Sequence, residues 1–456
     1  MASPLDVLVL AAGKGTRMRS RIPKVLHCLA GLPLLEHVIR SAETLSGPRI
    51  VVVVGHGGGE VRSAFAERGL TFVDQGEPLG TGHAVLAARP AITAPRFLVL
   101  PGDVPLVPSE ALTALLDFHR REDLAVSFLS MQPPEPVHYG RVVRERGRAV
   151  RIVEADDASP EERAIKEVNA GVYCLENQPA LWEALADLPA ENAQGEYYLT
   201  DLVERLARQG RADALAWKGW QDLLGVNDRA DLARLESILR GRIAARLMRA
   251  GVTIVDPNAV YLSPDAEVGA DTVLHPGVHL AGRVKVGEGC ELGPDAYLVD
   301  SQVEAGARVW YAVLEGAQVD QGARVGPYAH LRPGARIGAG ARVGNFVEVK
   351  AAQLGEGVRA RHLAYIGDAE VGPRANIGAG AITCNYDGVR KHPTKIGASA
   401  FIGSNAALVA PVSVGEGAYV GAGSVITEDV PPYALALARP RQRVKPRWAK
   451  EREAKA

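Results

Sequence analysis

A glycine-rich, basic segment near the amino terminus is the first part of the chain whose residue types indicate chemistry. It reads Leu10-Ala-Ala-Gly-Lys-Gly-Thr-Arg-Met18 and follows an apolar run. Backbone N–H groups can bind phosphate where a strand enters a helix through such a turn. The segment is neither a Walker A motif, because Gly15 follows Lys14, nor G-x-G-x-x-G, because position 18 is methionine. With Lys24 as a second cation downstream, it predicts phosphate binding without specifying the ligand.

Two further polar segments lie near the expected ends of other strands in the first half. They read Gly80-Thr-Gly-His83 and Gly102-Asp103. An aspartate that faces phosphates at a strand end is suited to Mg²⁺, a hard cation that takes carboxylate and phosphate oxygens. Taken alone, Asp103 is explained equally well as a cap or turn residue. Together with two phosphate-binding loops, a magnesium ligand is the favoured interpretation.

A second set of reactive side chains lies in the carboxyl-terminal half. Its members could bind anions or move protons: Arg332, Lys350, His362, Tyr365, Asn376, Asn385 and Ser404. Histidine, with an ordinary pKa of about 6.5, is suited to general base catalysis, so His362 is the candidate base. His275 and His279 form an H-x-x-x-H pair, but no helix or carboxylate motif accompanies it. We interpret that pair as turn residues.

The elements that must position the first set alternate between strands and helices. Short aliphatic runs predict strands at Val7–Ala11, Ile50–Val54 and Phe97–Leu100, and helical patterns follow at Leu34–Glu43, Gly82–Ala88 and Ser109–Arg121. Continuous apolar strands separated by helices are typical of a Rossmann-like, mostly parallel sheet covered on both faces. Such sheets bind ligands at the carboxyl ends of their strands, which is where the polar segments fall.

The second half repeats every six residues. Aliphatic residues recur at positions 268, 274, 280, 286, 292 and 298, then at 319, 325, 331, 337, 343 and 349, and again at 396, 402, 408, 414, 420 and 426. A six-residue period fits neither an α-helix nor a long strand, but it fits a parallel β-helix built from hexapeptides. The pattern is interrupted at Asn385-Tyr-Asp-Gly-Val-Arg-Lys-His392, which predicts a projecting loop. A glycine-rich sandwich would show no fixed period.

These patterns predict four regions. Residues 1–227 form the α/β domain, 228–250 a linker helix, 251–438 the β-helix, and 439–456 a tail with eight Lys/Arg and two Glu. Leu235, Leu239, Ile243 and Leu247 repeat at helical spacing within the linker. The tail suits phosphates, although most such tails are simply solvated.

Composition excludes several classes of protein. The 456 residues are 47% hydrophobic and 23% charged, with a net charge of −1. A neutral chain of this kind is not expected to bind nucleic acid, and no run approaches the roughly 20 apolar residues of a membrane span. Four distant cysteines without a C-x-x-C pattern exclude a disulfide scaffold and favour the reducing cytosol. We therefore expect a cytoplasmic protein that acts on small molecules.

The first half resembles the sugar nucleotidyltransferase family, in particular uridylyltransferases that use N-acetylglucosamine 1-phosphate. The likeness is carried by the G-x-G-T-R-M loop, Pro23-Lys24, Tyr139-Gly-Arg141, Gln194-Gly-Glu-Tyr-Tyr-Leu-Thr-Asp201 and Gly225-Val-Asn227. Pro101 departs from the aromatic residue that many members have there, which affects a local contact to the ligand and not the metal site. The resemblance implies Mg²⁺ bound by Asp103 and Asn227, with Arg17 and Lys24 offsetting charge during transfer. The nucleotide and sugar ligands that it implies are Leu10, Ala11, Ala12, Gly13, Lys24, Gln75, Gly80, Thr81, Gly140, Glu154, Asn169 and Asn227.

The second half resembles the left-handed hexapeptide-repeat acyltransferases. Together the halves are similar, over essentially the whole chain, to the bacterial family that joins an N-acetylglucosamine-1-phosphate uridylyltransferase to a glucosamine-1-phosphate N-acetyltransferase. The resemblance implies UTP and acetyl-CoA as co-substrates, a homotrimer with acetyl-transfer sites between subunits, and His362 as the base. Trp448 would stack on adenine or simply pack. The implied ligands of glucosamine 1-phosphate are Arg332, Lys350, Tyr365 and Asn376, and those of acetyl-CoA are Ala379, Asn385, Tyr386, Ser404, Ala422 and Arg439.

Two other readings stay open at this point. One is a nucleotidyltransferase with a single activity, such as a hexose-1-phosphate enzyme, whose β-helix is only a scaffold. The 385–392 insertion and His362 argue against it. The other is a non-catalytic regulatory or assembly protein, against which the presence of Lys24, Asp103 and His362 counts.

Overall fold

The chain forms two compact units, Met1–Leu239 and Arg240–Ala456. The computed structural model describes residues 4–135 and 139–453. The boundary between the units falls inside a helix, Arg229–Arg249, which corresponds to the helix predicted for 228–250. The predicted domain limits stay a prediction, and positions 454–456 of the predicted tail lie outside the described residues.

The first unit is built on a mixed sheet. Its strands are β1 Leu5–Ala11, β2 Pro48–Val54, β3 Thr71–Asp74, β4 Arg96–Pro101, β5 Val126–Met131, β6 Arg141–Glu145, β7 Arg148–Val153, β8 Val168–Glu176 and β9 Ala212–Ala216. Their order is β9-β5-β8-β4-β1-β2-β3, with β6 and β7 paired to each other and β6 also to β8. β1 runs parallel to β2 and β4, whereas β8 runs antiparallel between β4 and β5. A separate small hairpin joins Cys28–Leu29 to Leu32–Pro33.

Helices cover this sheet. They are α1 Leu34–Glu43, α2 Gly58–Ala64, α3 Thr81–Ala87, α4 Ser109–Arg121, α6 Pro179–Ala186 and α7 Leu199–Ala207. The short α5, Pro160–Arg163, buries none of its residues, and α8, Arg229–Arg249, contributes Leu235 to a separate small cluster. α1 and α4 have the predicted bounds, and α3 begins and ends one residue before its prediction. In α1, Leu35, Val38, Ile39 and Ala42 are buried, which is the spacing of one apolar helix face.

The core lies on both sides of the sheet. Val7 and Val9 of β1 belong to the cluster that contains the apolar residues of α1, α2 and α4. Leu8, between them in sequence, belongs to the cluster formed with α3, α6 and α7. Because successive side chains of a strand point to opposite faces, a strand buried on both faces is apolar throughout. This explains the continuous aliphatic runs and confirms the predicted layers.

The second unit is a parallel β-helix. One set of strands comprises Thr253–Ile254, Tyr261–Leu262, Val273–Leu274, His279–Ala281, Glu291–Leu292, Tyr297–Val299, Arg308–Val309, Val313–Glu315, Arg324–Val325, His330–Leu331, Arg342–Lys350, Arg359–Gly367, Asn376–Ile377, Ile382–Cys384, Phe401–Ile402, Ala407–Val409, Tyr419–Val420, Val425–Ile426 and Leu435–Ala436. The other comprises Glu267–Val268, Lys285–Val286, Gln302–Val303, Gln318–Val319, Arg336–Ile337, Gln353–Leu354, Ala369–Val371, Thr394–Ile396 and Val412–Val414. The left-handed sense implied by the resemblance stays a prediction.

The strand register gives the length of each coil. Glu267 pairs with Lys285, eighteen positions later, as expected for three hexapeptides. Asn376 pairs with Phe401, twenty-five positions later. The longer coil contains the interruption predicted at 385–392, which is closed by an antiparallel bridge between Tyr386 and Lys391. The insertion therefore leaves the stack through a closed loop and does not disturb the coils that follow.

The predicted aliphatic positions fill the interior of the β-helix. Val268 is only half-buried, but every other member of the three hexad series is buried. After the β-helix, a short helix, α9, spans Trp448–Glu453. None of the helices within residues 4–135 and 139–453 combines the length and apolar character needed to cross a bilayer.

Candidate active sites

A cavity of about 540 Å³ opens at the carboxyl ends of β1 and β4, where the sheet topology places ligands. The side chains around it come from the glycine-rich loop after β1, the start of α3, the end of β4, the turns after β7 and within β8, and the start of α7. Most of the predicted nucleotide and sugar ligands line this cavity: Leu10, Ala11, Ala12, Gly13, Lys24, Gln75, Gly80, Thr81, Asp103, Glu154 and Asn169. Arg17, Gly140 and Asn227 are not part of its lining.

The glycine-rich loop turns tightly around Lys24. Gly15 has a positive φ of 57°, and a Cβ added there would lie 2.7 Å from the Lys24 Cβ. Gly13 has free space around its Cα. The loop therefore leaves room for a ligand at one glycine and uses the other to place the lysine side chain beneath it.

Asp103 and Asn227, the predicted magnesium ligands, are brought together by the backbone. The Val226 N–H donates to the carbonyl of Asp103 at 2.9 Å. Lys24 forms an ion pair with the Asp103 carboxylate, and the Arg17 guanidinium donates to Asn227 Oδ1 at 2.9 Å. Both oxygens are hard donors already facing cationic groups, so they fit Mg²⁺ chemically.

Those two oxygens would supply only part of a coordination sphere. Within residues 4–135 and 139–453, no group of three or more His, Cys, Asp or Glu side chains could hold a metal. Mg²⁺ commonly takes one or two protein oxygens and completes its octahedron with phosphate and water. Asp103 and Asn227 therefore suit an ion that arrives with a nucleotide better than a permanent structural ion.

Glu154 and Asn169 form the end of the cavity away from the glycine-rich loop. Asn169 is held firmly, because its Nδ2 donates to the Tyr173 hydroxyl at 2.7 Å and its Oδ1 accepts the Gly171 N–H at 2.9 Å. Burial raises the pKa of the Glu154 carboxyl. Gly140 lies beside this carboxylate: a Cβ there would come within 3.3 Å of Glu154 Oε2. This end offers amide and carboxylate groups to a polar ligand.

The cavity also contains residues to which the sequence assigned no role. Lys14, Thr16, Tyr173, Glu196, Leu199 and Thr200 line it. Three of them belong to the quoted segment 194–201, so the resemblance indicated the region but not the contacts. Pro101, the noted departure from the family pattern, lines the cavity as well. Pro101 packs against Gly171, since a Cβ at position 171 would lie 2.9 Å from the Pro101 Cγ.

In the β-helix, His362 is exposed on the strand Arg359–Gly367. Its Nδ1 lies 2.7 Å from Oδ1 of Asn345, the residue paired with it on the adjacent coil. An amide oxygen only accepts, so Nδ1 must carry the proton and Nε2 keeps a free lone pair. In this tautomer the basic nitrogen is Nε2, the one that does not contact Asn345. Sequence reasoning did not identify Asn345.

The predicted glucosamine 1-phosphate ligands divide between two faces of the β-helix. Tyr365 pairs with Glu348, whose carboxylate accepts from Arg332 at 2.9 Å. Asn376 instead pairs with Arg359, one hexapeptide earlier in the coil than Tyr365. The structure therefore groups Arg332, Lys350 and Tyr365 but sets Asn376 on the neighbouring face.

Lys391, on the 385–392 insertion, is a further cation that sequence reasoning missed. The close approach of the Lys391 side chain lowers the pKa of Lys350, with desolvation adding to the effect. Nearby, the Asn385 side chain donates to the carboxylate of Asp368 and, at 3.4 Å, to the hydroxyl of Tyr365. Two adjacent ammonium groups are typical of a site that binds a dianion such as a phosphate monoester.

Three of the predicted acetyl-CoA ligands, Ala379, Ser404 and Ala422, occupy one corner of successive coils, whereas Asn385 and Tyr386 belong to the insertion. The Asn405 N–H donates to the carbonyl of Ala379, and the Gly423 N–H donates to that of Ser404. Arg439 reaches back from the tail to the Ala422 carbonyl at 2.9 Å. Tyr386 is exposed on the insertion, and Trp448 is exposed apart from a cation–π contact with Arg452 in its own helix. The corner forms a continuous exposed edge to which an extended ligand could bind.

Comparison with known proteins agrees with both halves. Residues 7–170 match the family model of the MobA-like NTP transferase domain. Residues 316–351 and 393–428 match the bacterial transferase hexapeptide (six repeats).

Curated relatives match almost end to end. The bifunctional protein GlmU of Brevibacillus brevis is 45% identical and covers 96% of this chain and 96% of its own length. The GlmU of Fervidobacterium nodosum is 46% identical, with 98% of each chain covered. That of Stutzerimonas stutzeri is 48% identical over 96% of this chain and 97% of its own length. These likenesses disfavour a single-activity enzyme and a non-catalytic protein. The chain belongs to the GlmU family of bifunctional enzymes, in which a uridylyltransferase domain precedes a hexapeptide-repeat acetyltransferase domain.

Proposed function

We propose that the enzyme makes UDP-N-acetylglucosamine in two steps. The β-helix transfers acetyl from acetyl-CoA to glucosamine 1-phosphate, and the α/β unit joins the product to UTP with release of pyrophosphate. The observation that carries this proposal is that the Lys24–Asp103 pair lies in the same cavity as the glycine-rich loop and the Glu154–Asn169 end. Such a cavity accommodates a nucleotide and an amino sugar phosphate with their phosphates adjacent.

In uridylyl transfer, a phosphate oxygen of the sugar attacks the α-phosphorus of UTP and pyrophosphate leaves. Mg²⁺, held by Asp103 and Asn227, would supply charge neutralisation at the phosphates. Lys24 and Arg17 are the protein cations that this chain contributes beside those oxygens. Catalysis then rests on positioning and electrostatic stabilisation, since no covalent intermediate is needed.

In acetyl transfer, the amine of glucosamine 1-phosphate must first lose a proton, because an ammonium group has no lone pair. The free Nε2 of His362 accepts that proton, and the amine attacks the thioester carbonyl to form the new C–N bond. The C–S bond then breaks, and the second proton that the nitrogen loses as it becomes an amide goes to the departing thiolate, which leaves as CoA. Arg332, Lys350 and Tyr365 would hold the phosphosugar, joined by Lys391. Asn345 supports the tautomer that this role requires.

We further propose that the active enzyme is a homotrimer. Asn376 lies on a different face from Tyr365, so a second copy would be needed to complete one compact ligand shell. An apolar ridge runs beside His362 and consists of Tyr311, Tyr328, Phe346 and Leu363, the last three about 60% exposed. All four have positive φ, a conformation that costs free energy for bulky residues. Burial against another copy would explain why such side chains are kept there.

The cytoplasm is the proposed compartment. Cys28, Cys174, Cys290 and Cys384 are all free thiols, which is usual in a reducing environment.

A one-pot assay with glucosamine 1-phosphate, acetyl-CoA, UTP and Mg²⁺ tests the two reactions, with free CoA and pyrophosphate followed separately. We expect both products, and pyrophosphate only after acetylation. His362→Ala should stop CoA release but spare uridylyl transfer when N-acetylglucosamine 1-phosphate is supplied. Asp103→Ala, or chelation of Mg²⁺, should do the reverse. Loss of both activities in either variant would contradict two independent sites.

A further inference from the structure

Thr200 is a buried hydroxyl at the edge of the cavity. It is the second residue of α7, is 4% exposed and lines the cavity. Its Oγ1 donates to Glu154 Oε1 at 3.0 Å. Threonine early in a helix often caps the backbone, but here the hydroxyl is directed to a side chain. The bond therefore serves the carboxylate rather than the helix.

The carboxylate that receives this bond lies in an unfavourable setting for a charge. Burial raises the pKa of Glu154, and the nearby carboxylates of Asp201, Asp157 and Asp156 act in the same direction. The hydrogen bond from Thr200 opposes them and lowers that pKa. An ionised carboxylate accepts hydrogen bonds at both oxygens, whereas a protonated one presents a donor. Thr200 thus favours the form that can accept bonds from a sugar hydroxyl or amide.

The start of α7 is itself fixed to the nucleotide end of the cavity. The Leu199 N–H donates to Thr81 Oγ1 at 3.0 Å. Just before it, the Tyr197 N–H donates to the Leu79 carbonyl and the Gly82 N–H donates to the Tyr197 carbonyl, both at 2.8 Å. The helix start cannot shift without moving the loop before α3. Thr200 is therefore held in place, and its hydrogen bond fixes the position of Glu154.

We infer that Thr200 is a positioning residue for the sugar phosphate: its hydroxyl holds one oxygen of Glu154 so that the other faces the amino sugar. The other oxygen, Oε2, lies where a Cβ on Gly140 would come within 3.3 Å, so the glycine keeps space beside this oxygen. This inference rests on the proposed role of Glu154 in sugar binding. It adds a positioning residue that acts on the sugar phosphate through Glu154.

Thr200→Val tests the inference, because valine keeps the shape and removes the hydroxyl. The KM for N-acetylglucosamine 1-phosphate should rise about tenfold, since a hydrogen bond to a charged group is worth about one decade in affinity. The KM for UTP should change less than about twofold. Thr200→Ser keeps a hydroxyl, so its KM for N-acetylglucosamine 1-phosphate should be close to that of the wild type. A sugar KM unchanged by Thr200→Val, or equal rises in both KM values, would overturn the inference.

Ser130→Ala is the matched control. Ser130 is also buried in the first unit and donates its hydroxyl to a glutamate, Glu167, at 2.5 Å, but it does not line the cavity. Its loss should leave the sugar KM unchanged. Glu154→Gln distinguishes a failure of the proposed role of Glu154 from a failure of the role of Thr200. If that variant leaves the sugar KM unchanged, the proposed role of Glu154 fails; if it raises the KM while Thr200→Val does not, only the role of Thr200 fails.

Discussion

Removal of the Asn345 side chain should slow acetyl transfer without abolishing it. In the structure Asn345 Oδ1 accepts the Nδ1 proton of His362 at 2.7 Å, which leaves Nε2 as the base. Without that acceptor the imidazole can rotate and can adopt the other tautomer. Asn345→Ala therefore lowers the fraction of enzyme whose basic nitrogen is correctly placed, while the base itself is retained.

The magnitude follows from the exposure of the bond. His362 is exposed, so the bond has the ordinary net worth of an intramolecular hydrogen bond, about 0.5–1.5 kcal/mol. At about 1.4 kcal/mol per factor of ten, kcat/KM for acetyl transfer should fall about twofold to tenfold. His362→Ala removes the base and should cost at least 100-fold, since general base catalysis contributes about 10²–10⁴-fold.

The assay is CoA release measured with a thiol reagent at saturating acetyl-CoA and varied glucosamine 1-phosphate. Uridylyl transfer by the same preparation and light scattering report on intact folding and assembly. Gln353→Ala removes an exposed amide from a neighbouring part of the β-helix and should leave the rate unchanged. Wild-type acetyl transfer by Asn345→Ala, or a loss as large as that of His362→Ala, would refute the reasoning.

Three further outcomes are expected. Burial lowers the pKa of His119 in the folded chain to about 4. As the pH falls, the unfolded chain therefore protonates this histidine before the folded chain does. Up to about 3 kcal/mol of stability should be lost between pH of about 6.5 and 4. Denaturant unfolding should show a steeper loss in the wild type than in His119→Gln, because the lowered pKa values of His27, His37 and His279 act in both proteins; parallel slopes would contradict the prediction. Gly140→Ala would place a Cβ 2.8 Å from Ile152 Cγ2 and 3.3 Å from Glu154 Oε2. The KM for N-acetylglucosamine 1-phosphate should therefore rise about tenfold, while acetyl transfer is unchanged. An unchanged KM would show that the space at Gly140 is not needed. Leu314→Ala, at a fully buried position of the β-helix, should destabilise by about 2–5 kcal/mol, checked by calorimetry against the exposed Val389→Ala; equal melting temperatures would mean that the site collapses around the cavity.

Much of the fold could be predicted because its signals are local. A hexapeptide repeat indicates, once in every six residues, which side chain points inward. The buried series at 319–349 and 396–426 follows that pattern throughout. The bounds of α1 follow from the spacing of Leu35, Val38 and Ile39 in the same way. The insertion at 385–392 was visible as a break in the period. Each of these features depends on a short stretch of chain and on a period that burial imposes.

The candidate sites were only partly accessible from sequence. The glycine-rich loop and Asp103 could be assigned to phosphate and metal chemistry, because glycine and carboxylate have few substitutes there. The roles of the individual site residues stay predictions, since the structure shows where they lie and not what binds them.

What only the tertiary structure decided is which distant residues meet. The Val226 N–H brings Asn227 beside Asp103, and coil stacking places Asn345 against His362. It also separates Asn376 from Tyr365 and directs the hydroxyl of Thr200 to Glu154. These outcomes depend on how strands pair and where turns close, which are long-range contacts that no local period encodes. The sequence by itself therefore determined the two architectures and the kind of chemistry, and packing determined the partners of each reactive group.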